Sequence, residues 1–512
     1  MKKLTYLATL AGSMLIATSC VDLNQEPQSF ISEEEYISTI NQESLESAVT
    51  ALYNNLWHDN YGFNSRIQRI QVCADEITYR AAKPGNELAY YDQLSPNIGA
   101  NSKDFDTSWE LFYFTIANAN KLIHFAKAPA DATEEEVAKF NGALAEAYFL
   151  RGLSYFYLVR MYGNVPIVPE NGNETAINCP LSPTEEVYNK MIVPSLEYAV
   201  TWLPETPRSG NSSTPTKWAA ETCLADVYIT MAGWPLKKEE YYAKAASAAK
   251  DVLDNNTYHE QLADYASLWK EANKNNKEFM FCLHHSQANK VMASNYGKSY
   301  YPADFYDKDK GKAPGGWADY YARKEAFEKY PNDKRKEWNF MTEWYSTANN
   351  NQLTSWQDSP DGLPCISKYY NYNQGDPAAS AQANGVTCIY RLADAKLLYA
   401  EASTRATGTV NQDALNAIND IQRRAGYEEP DINIQLTTTT DPQAFLEAVS
   451  NERSYEFYAE MRRWFELVRT EQVSVKRADK WNGSFFQTQG HYYFPIPSAQ
   501  ILLTGWTNNP GY

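Results

Sequence analysis

The clearest helical periodicity in the chain falls within residues 134–162. Six large side chains in this stretch are spaced by four, three, four, three and four positions, which places them on one face of an α-helix. They are Leu144, Tyr148, Arg151, Tyr155, Leu158 and Tyr162. Gly163 follows directly and Pro166 comes three positions later, a combination typical of a helix end. The spacing therefore predicts one long helix that ends at Tyr162.

Further helices are predicted on both sides of this one, and most of them come in pairs. They cover residues 33–57, 109–125, 183–203, 216–232, 238–254, 390–406, 412–425 and 441–471. In the pair at 390–425, Ala402 and Ala414 lie twelve positions apart, with Ile418 and Ile421 beyond them. Small residues at this spacing resemble the positions at which the two helices of a tetratricopeptide repeat cross. The pattern predicts tetratricopeptide-like helix pairs.

Two stretches lack helical periodicity. Residues 72–99 are polar and rich in turn-forming residues, which predicts an excursion over the surface. From Tyr296 to Tyr372, 18 of 77 residues are aromatic, about 23% against 14% for the whole chain. An irregular segment of this length inside a compact domain is usually functional or disordered, and its many rings argue against disorder. We therefore expect a loop-rich insertion at about residues 283–386.

The first twenty residues have the pattern of a bacterial lipoprotein signal. Lysines at positions 2 and 3 precede an apolar stretch that is too short to span a bilayer, and small residues lead up to Cys20. Ala17 stands where such signals usually carry leucine. We expect residues 1–19 to be removed and Cys20 to be lipidated, which would tether the chain to a membrane without crossing it. The alternative is an ordinary secretory signal with Cys20 near the cleavage site.

Composition excludes some classes of partner. The formal net charge of −17 argues against nucleic acid or an anionic membrane surface as the main ligand. Six cysteines follow Cys20; they are dispersed and lack C-x-x-C spacing, which argues against a disulfide framework or a zinc site and leaves one or two bridges open. The 38 tyrosines suit sugar-binding surfaces and helix packing equally well, so their number decides neither.

The sequence contains no recognisable catalytic or metal-binding motif. The six histidines form no H-E-x-x-H pattern, and no G-x-S-x-G, Walker or dinucleotide-binding motif occurs. Residues 307–311 only faintly resemble a calcium loop, because the third oxygen ligand and a bidentate glutamate are missing. With 63 acidic residues, some pair of carboxylates at glycosidase separation is inevitable, so composition alone leaves hydrolysis open. We expect no metal and no cofactor.

Four segments, in order along the chain, are similar to the motifs of SusD/RagB lipoproteins. Residues 147–166 resemble R-A-x-x-Y-F-x-L-V-R-x-Y-G-x-V-P, and residues 390–402 resemble Y-R-L-A-E…Y-A-E-A. Residues 451–469 resemble E-R…E…E…R-W-x-D-L-x-R, and the final segment, 494–512, resembles P-I-P…Q-N-P-G-Y. Glu466 replaces the usual Asp, and Asn508 replaces the usual Gln. On these motifs and the lipoprotein signal, the chain is identified as a member of this family.

The resemblance implies a lipid-anchored protein of the outer membrane, exposed at the cell surface of a Bacteroidetes-type bacterium. Such proteins pair with a SusC-like TonB-dependent barrel and capture nutrients, usually oligosaccharides or polysaccharides, without catalysis. The implied fold is mainly α, a single SusD-like domain over residues 20–512 with tetratricopeptide-like helix pairs and a loop-rich, aromatic ligand-binding lobe. The alternatives are capture of peptides by the same architecture, as in the RagB branch, a surface glycoside hydrolase, and a scaffold that binds only proteins.

The family motifs themselves are expected to have structural roles. Arg151 lies on an otherwise aromatic and aliphatic face, where an unpaired charge is costly, so we expect it to have a buried partner. Glu452, Glu456, Glu460 and Arg463 are spaced by four, four and three positions, which predicts a ladder of ion pairs along one helix.

The ligand residues are predicted by position, because the resemblance implies an early loop and a later loop-rich region as their source. Trp317 follows Pro-Gly-Gly, a turn suited to presenting its ring to solvent, where the ring can pack on the C–H face of a sugar. The predicted ligand residues are Asp75, Arg80, Tyr90, Tyr91 and Asn101 from the early segment, and Tyr306, Trp317, Tyr320 and Tyr321 from the later one.

Overall fold

The computed structural model describes residues 33–56, 67–81, 83, 85–101, 103–171, 174–288, 292–373, 383–426 and 436–512. Cys20 and the predicted signal segment lie outside these residues, and the side chain of Asn101 is likewise not described. The helices are α1 (Glu33–Ser38), α2 (Gln42–Tyr53), α3 (Leu88–Asp92), α4 (Lys103–Phe125), α5 (Glu134–Tyr162), α6 (Thr184–Val187), α7 (Val193–Trp202), α8 (Lys217–Ala232), α9 (Tyr241–Asn255), α10 (Tyr265–Leu268), α11 (Tyr296–Ser299), α12 (Lys324–Lys329), α13 (Lys334–Asn339), α14 (Leu392–Thr407), α15 (Gln412–Ala425), α16 (Pro442–Glu456), α17 (Arg463–Arg469), α18 (Val473–Lys476), α19 (Ala478–Trp481), α20 (Phe485–Gln489) and α21 (Ser498–Thr504). The strands are β1 (Ile77–Tyr79), β2 (Val165–Pro166), β3 (Leu181–Ser182), β4 (Phe279–His285), β5 (Tyr320–Ala322), β6 (Phe340–Met341), β7 (Glu343–Ser346), β8 (Gln352–Ser355), β9 (Cys365–Ile366) and β10 (Gly385–Arg391).

Helix α5 has the bounds that its periodicity predicts. Thr133 and Glu136 cap its first turn, each side chain bonding the other's backbone N–H, and Gly163 ends it in a backbone conformation with a φ of 74°. Gly152 lies where α5 meets α7, since a Cβ at that position would approach the Leu196 side chain to 3.0 Å. The helix is therefore set by local capping at both ends and by a close helix–helix contact in between.

Arg151 is buried in this contact region with three polar partners. Its guanidinium donates to Ser195 Oγ (3.0 Å), Asn120 Oδ1 (3.0 Å) and Glu170 Oε1 (2.5 Å). The expected buried partner of Arg151 is confirmed, and the arginine joins α4, α5 and α7 to the segment that follows β2.

Most of the long helices form a continuous array in which each packs on the next. Contacts run from α4 to α5, α5 to α7, α7 to α8, α8 to α9, α9 to α14 and α14 to α15. Ala402 in α14 and Ala414 in α15 are fully buried, as small residues at a close crossing should be. The predicted fold class, mainly α with tetratricopeptide-like helix pairs, is confirmed. None of the described helices combines the length and the apolar composition that crossing a bilayer requires.

The prediction of a single helix over residues 441–471 is wrong. Helix α16 ends at Glu456 and α17 begins at Arg463. Ala459 and Met461 between them have φ values of 60° and 63°, a left-handed conformation that no helix can continue through. The predicted ladder of ion pairs is wrong for the same reason, because its four members do not share one helix.

The acidic residues of this region instead form a buried charge cluster with cations from distant parts of the chain. Arg391, at the end of β10, contacts Glu456 (Nη1 to Oε1, 2.6 Å) and Glu460 (Nη2 to Oε1, 2.9 Å). Arg335 Nη1 lies 2.5 Å from Glu452 Oε1. The members of the charge cluster, none more than 6% exposed, are Glu278, Arg335, Lys368, Arg391, Arg424, Glu452, Glu456 and Glu460. The cluster fastens α13 and the segment after β9 to the helical array.

A loop-rich lobe, described over residues 286–288, 292–373 and 383–384, leaves the helical array between β4 and β10. These strands pair antiparallel, with Gly385 opposite His285 and Arg391 opposite Phe279, so that both ends of the lobe meet at one place. Within the lobe β6 pairs with β9 and β7 pairs with β8, while β5 pairs outside it with β1. The lobe occupies the stretch in which helical periodicity fades.

Many aromatic side chains of the lobe are buried in its interior. The Tyr300 ring contacts those of Tyr296, Tyr320 and Tyr369, with centroids 6.1, 5.2 and 5.6 Å apart. A second, smaller core contains Ala318, Tyr321, Trp344, Trp356 and Cys365. Packing of aromatic rings therefore orders this lobe in place of regular secondary structure. Only some of the rings of the lobe are accessible to a ligand.

Candidate functional site

The early segment, which the sequence places on the surface, lies there only in part, because its first residues are packed into the molecule. Val72, Cys73 and Ile77 are fully buried. Strand β1 pairs antiparallel with β5, which places Tyr79 opposite Tyr320. The two segments that supply the predicted ligand residues are thus joined by backbone hydrogen bonds.

A cavity of about 480 Å³, the site cavity, opens beside this strand pair. Its volume is within the range of about 300–1,000 Å³ that is usual for small-molecule sites. Its lining comes from the early segment, from the residues just before it and from the lobe: Gln68, Arg69, Lys83, Gly85, Asn86, Glu87, Leu88, Ser299, Trp317, Asp319 and Tyr320. The site cavity therefore exists only because the strand pair holds the two segments together.

Trp317 is a half-buried wall of the site cavity. The preceding turn is fixed by a close backbone approach, since a Cβ on Gly316 would lie 2.0 Å from Tyr301 O. The Trp317 N–H donates to Lys298 O (2.8 Å), and the next residue, Ala318, has a left-handed φ of 49°. The Pro-Gly-Gly sequence thus does what its composition suggests: it turns the chain sharply and leaves the indole partly open.

The floor of the site cavity is polar and deeply buried. The Tyr320 ring is 3% exposed, and burial raises the pKa of its phenol. The buried Gln68 Oε1 has no hydrogen-bond partner in the part of the chain that the structure describes. Ser299 Oγ is likewise buried and without a partner among the described residues. Both atoms are out of reach of solvent, so they lie beneath the floor and do not open onto the cavity.

The charged groups around the site cavity are paired with one another. Arg69 Nη1 contacts Glu87 Oε2 (2.9 Å) and Asp104 Oδ2 (3.0 Å). Lys83 Nζ lies 2.8 Å from Asp319 Oδ1, which links the early segment to the lobe across the rim. The cations and anions of the lining are balanced, so the cavity presents ion pairs rather than an excess of either sign.

Trp317 and Tyr320 are the predicted ligand residues that line the site cavity. Arg80 and Tyr321 both bind Asp361: Arg80 Nε lies 3.1 Å from Oδ2, and the Tyr321 hydroxyl donates to the same oxygen at 2.7 Å. Tyr321 is buried in the smaller core, so the prediction of its ring as a sugar platform is corrected. Arg80 joins the early segment to the lobe through Asp361, and Tyr321 holds that carboxylate from within the lobe.

Other predicted residues lie away from the site cavity. Tyr91 is fully buried and donates to Asp104 Oδ2 (3.1 Å), so its prediction as a ligand residue is also corrected. Tyr90 is half-buried against the main core. Tyr306 is half-buried in the lobe, where its N–H donates to Tyr345 O (2.7 Å). Burial by tertiary packing, which position along the chain does not reveal, explains these differences.

Asp75 lines a second cavity, of about 400 Å³. Its carboxylate accepts from Arg463 Nε (2.9 Å) and Nη2 (3.1 Å), and although burial opposes ionisation, this guanidinium holds the pKa of Asp75 below its ordinary value. The neighbouring Glu76 has its pKa raised to about 8 by burial. Asp75 thus anchors α17 to the early segment and does not face the site cavity.

Gln68, Arg69, Asn86 and Ser299 are lining residues that sequence reasoning missed. They are polar residues of common types, without a motif around them. The one available signal is their nearness in sequence to predicted residues, such as Asn86 between Arg80 and Tyr90.

The described residues contain no group of three or more His, Cys, Asp or Glu side chains arranged to hold a metal ion. The six cysteines after Cys20 are all buried free thiols.

Two family models match the chain, and together they cover residues 29–512. The model described as the SusD family matches residues 224–512, and the model described as starch-binding, associating with the outer membrane, matches residues 29–229. A SusD-like protein of Bacteroides ovatus is 28% identical over 285 residues, a match that spans 54% of this chain and about half, 49%, of that relative. SusD-like protein P2 of Formosa agariphila is 24% identical over the full length of both proteins.

A solved structure shows the same fold. It is surface glycan-binding protein A of Bacteroides thetaiotaomicron in complex with laminarihexaose, with a TM-score of 0.71, 22% identity and coverage of 92% of this chain and 100% of that one. The SusD/RagB resemblance inferred from the four sequence motifs is confirmed, and the chain belongs to the SusD family.

Proposed function

We propose that this protein is a surface glycan-binding lipoprotein that captures oligosaccharides and delivers them to a SusC-like TonB-dependent transporter, without catalysis. The outer membrane is the proposed location, with the lipid on Cys20 as the anchor. The observation that carries the binding role is the site cavity, which the half-buried Trp317 lines together with polar residues of the early segment and the lobe.

The arrangement suits a sugar because a pyranose ring has both apolar C–H faces and hydroxyl edges. Packing one C–H face on Trp317 removes roughly 50 Å² of apolar surface from water, which contributes about 1.3 kcal/mol at 25 cal/mol per Å². A single ring platform, with a few hydrogen bonds to the floor, gives modest affinity once the cost of association is deducted. Modest affinity suits a protein that must release its ligand to a transporter.

The comparisons support the same role. One matching family model is described as starch-binding and associating with the outer membrane. The structurally similar surface glycan-binding protein A holds laminarihexaose. Both facts concern those proteins, and together with the site cavity they make a glycan the first ligand class to test.

The binding role is tested by calorimetric titration of the mature chain with a panel of oligosaccharides. Trp317→Ala should weaken binding about tenfold, the equivalent of about 1.4 kcal/mol. Trp202→Ala, which removes another half-buried indole at the end of α7, should leave the affinity unchanged. Equal affinity of the wild type and Trp317→Ala would remove the proposed platform, and binding of peptides but no saccharide would replace the glycan with a peptide as ligand.

The absence of catalysis is tested on the glycans that bind. Reducing ends are measured after long incubation of the protein with each bound oligosaccharide. We expect no increase over a heat-treated sample. Steady release of reducing ends that survives repurification would assign the protein to the glycoside hydrolases instead.

Anchoring and delivery need the native cell. Mass spectrometry of the mature amino terminus should find acyl groups on Cys20, and Cys20→Ser should move the protein out of the outer-membrane fraction. Purification from membranes should recover a TonB-dependent barrel with the wild type. An unmodified thiol at Cys20 in protein from that fraction would contradict the anchor.

A further inference from the structure

We infer that Cys282 and Cys388 form a cross-strand disulfide, which closes the lobe at the β4–β10 pair once the chain has left the reducing cytoplasm. The inference rests on the outer-membrane location of the proposed function, because disulfides form and persist in oxidising compartments. It adds a covalent modification at the place where the lobe joins the helical array.

The first argument is the register of the two strands. The pairing of β10 with β4 is continuous from Gly385 opposite His285 to Cys388 opposite Cys282. Directly opposite residues of an antiparallel pair have their side chains on the same face of the sheet. The two cysteines are therefore cross-strand neighbours. The other cysteines after Cys20 are distributed over other segments of the chain: Cys73, Cys179, Cys223 and Cys365.

The second argument is the hydrogen-bond pattern at this pair. The Cys282 N–H donates to Ser212 O (2.7 Å) rather than to β10, so Cys282 and Cys388 form a non-hydrogen-bonded pair. Such pairs have Cα atoms about 4.5 Å apart and bring their side chains closer together than hydrogen-bonded pairs do. Disulfides join Cα atoms about 4.4–6.8 Å apart, so the backbone of this pair already suits a bridge.

The third argument is the surroundings of the two thiols. Burial raises the pKa of Cys388, and the neighbouring Cys282 thiol raises it further. Burial also raises the pKa of Tyr372, and the same two thiols add to that increase, so both of them lie beside this one phenol. Cys282 is fully buried and Cys388 is 6% exposed. Because buried, protonated thiols do not reach an oxidant, the bridge forms during folding, before β10 closes on β4.

The reaction is thiol–disulfide exchange with an oxidant that is itself a disulfide, carried by a protein or by a small molecule. One cysteine thiolate attacks this disulfide, which forms a mixed disulfide and releases one thiol of the oxidant. The second cysteine thiolate then attacks the mixed disulfide, which forms the Cys282–Cys388 bond and releases the second thiol. Two electrons pass to the oxidant, and the two protons lost by the cysteines balance those gained by its thiols.

The bridge would close a loop of about 100 residues that contains the whole lobe, and closure of long loops restricts the unfolded chain most strongly. The lobe supplies Trp317 and Tyr320 to the site cavity. A covalent bond at the base of the lobe would therefore keep this part of the cavity attached to the helical array outside the cell.

The test is peptide mapping of the mature protein from the outer-membrane fraction, denatured and alkylated at once so that free thiols are blocked. Trypsin releases Cys282 and Cys388 on separate peptides, residues 278–290 and 369–391, which contain no other cysteine. We expect most of the protein to yield these peptides joined, at a mass that is two hydrogen atoms below the sum of the two. Alkylation of both cysteines, or linkage of either one to a different cysteine, would overturn the inference.

A refolding experiment separates this inference from the proposed location. The reduced, denatured chain is refolded with a mixture of oxidised and reduced glutathione, and the same two peptides are mapped. Joined peptides from the refolded chain, with no protein in the outer-membrane fraction, would support the pairing and refute the location. Alkylated thiols in outer-membrane protein that binds a glycan would refute the inference and leave the proposed function intact.

Thermal melting tests the closure of the lobe. The chain refolded with glutathione should melt about 5 °C above the chain refolded with excess dithiol reductant. Cys388→Ala should melt at one temperature under both conditions. Cys223→Ala, which removes another fully buried thiol, in α8, should keep the wild-type difference. Equal melting temperatures for the two wild-type forms, or a difference that persists in Cys388→Ala, would overturn the assignment of the closure to this pair.

Discussion

The charge cluster and the site cavity are both dense in polar side chains, but they differ in how exposed those side chains are. In the charge cluster, Glu456 accepts from Arg335, Arg391 and Arg424, all of them buried. Around the site cavity, the ion-paired side chains of Lys83 and Glu87 are 49% and 48% exposed. Breaking a buried ion pair costs about 3–5 kcal/mol, whereas an exposed pair is worth about 0–1 kcal/mol. Burial therefore separates the polar groups that build this fold from those that surround the cavity.

The largest effect on stability that the comparison predicts comes from removing one carboxylate of the charge cluster. Although burial alone would raise it, the guanidinium groups of Arg424, Arg391 and Arg335 hold the pKa of Glu456 well below its ordinary value. Glu456→Gln should lower the free energy of unfolding by about 3–5 kcal/mol, because it leaves buried cations without compensation. Urea unfolding measures this loss.

The control for this variant is an exposed acid in the turn before α9. Glu239→Gln should change the free energy of unfolding by less than about 0.5 kcal/mol. If Glu456→Gln is no less stable than Glu239→Gln, the buried pairing does not support the fold, and the contrast with the site cavity disappears.

A smaller effect concerns His259, a fully partnered but neutral buried group. Its Nδ1–H donates to Lys277 O (2.9 Å), and its Nε2 accepts from the Thr216 hydroxyl (2.8 Å), which also accepts the Ala219 N–H at the start of α8. Burial lowers the pKa of His259 to about 4. Because the unfolded chain binds this proton near pH 6.5, the contribution of His259 is complete above pH 6.5 and is lost as the pH falls from there toward 4.

The loss should amount to about 2–3 kcal/mol between pH 7 and pH 4. Unfolding free energies measured at several pH values should converge for the wild type and His259→Gln as the pH falls. A constant difference between the two proteins across this range would show that His259 does not titrate on unfolding.

The smallest predicted effect is at the rim of the site cavity. The Lys83–Asp319 ion pair is 2.8 Å long, but the two side chains are 49% and 22% exposed. Lys83→Met should lower the free energy of unfolding by no more than about 1 kcal/mol, and 1 M salt should shrink the difference further. Lys83→Arg is the matched control and should behave as the wild type. A loss of unfolding free energy as large as that of Glu456→Gln would contradict this prediction, because it would show that the Lys83–Asp319 pair supports the fold.

The parts of the fold that the sequence predicts are those with local causes. Periodicity and capping residues locate α5 and α15 at their observed bounds. The same periodicity continues through Glu452, Glu456 and Glu460, yet the helix breaks after Glu456. The break turns these acids toward Arg391 and Arg335, which come from other elements, so its cause is long-range and leaves no local signal.

The residues of the site cavity likewise divide into those with a local sequence signal and those without one. The Pro-Gly-Gly turn before Trp317 is a local signal, and it correctly indicates a partly open ring. Gln68 and Ser299 enter the same cavity only because β1 pairs with β5, a contact between residues more than two hundred positions apart. Tyr91 and Tyr321, like Trp317, are aromatic residues of segments without helical periodicity, so the sequence does not show which of the rings are buried. Only tertiary packing distinguishes the buried rings from the accessible one.

The antiparallel pair β4–β10 gives the lobe a narrow root, with its entry and exit side by side. The helical array needs only three attachments from the lobe. They are the β4–β10 pair, the pairing of β5 with β1, and the ion pairs of Arg335 with Glu452 and of Lys368 with Glu460. Any sequence that meets those conditions can present a different surface, so recognition can diversify while the framework stays constant.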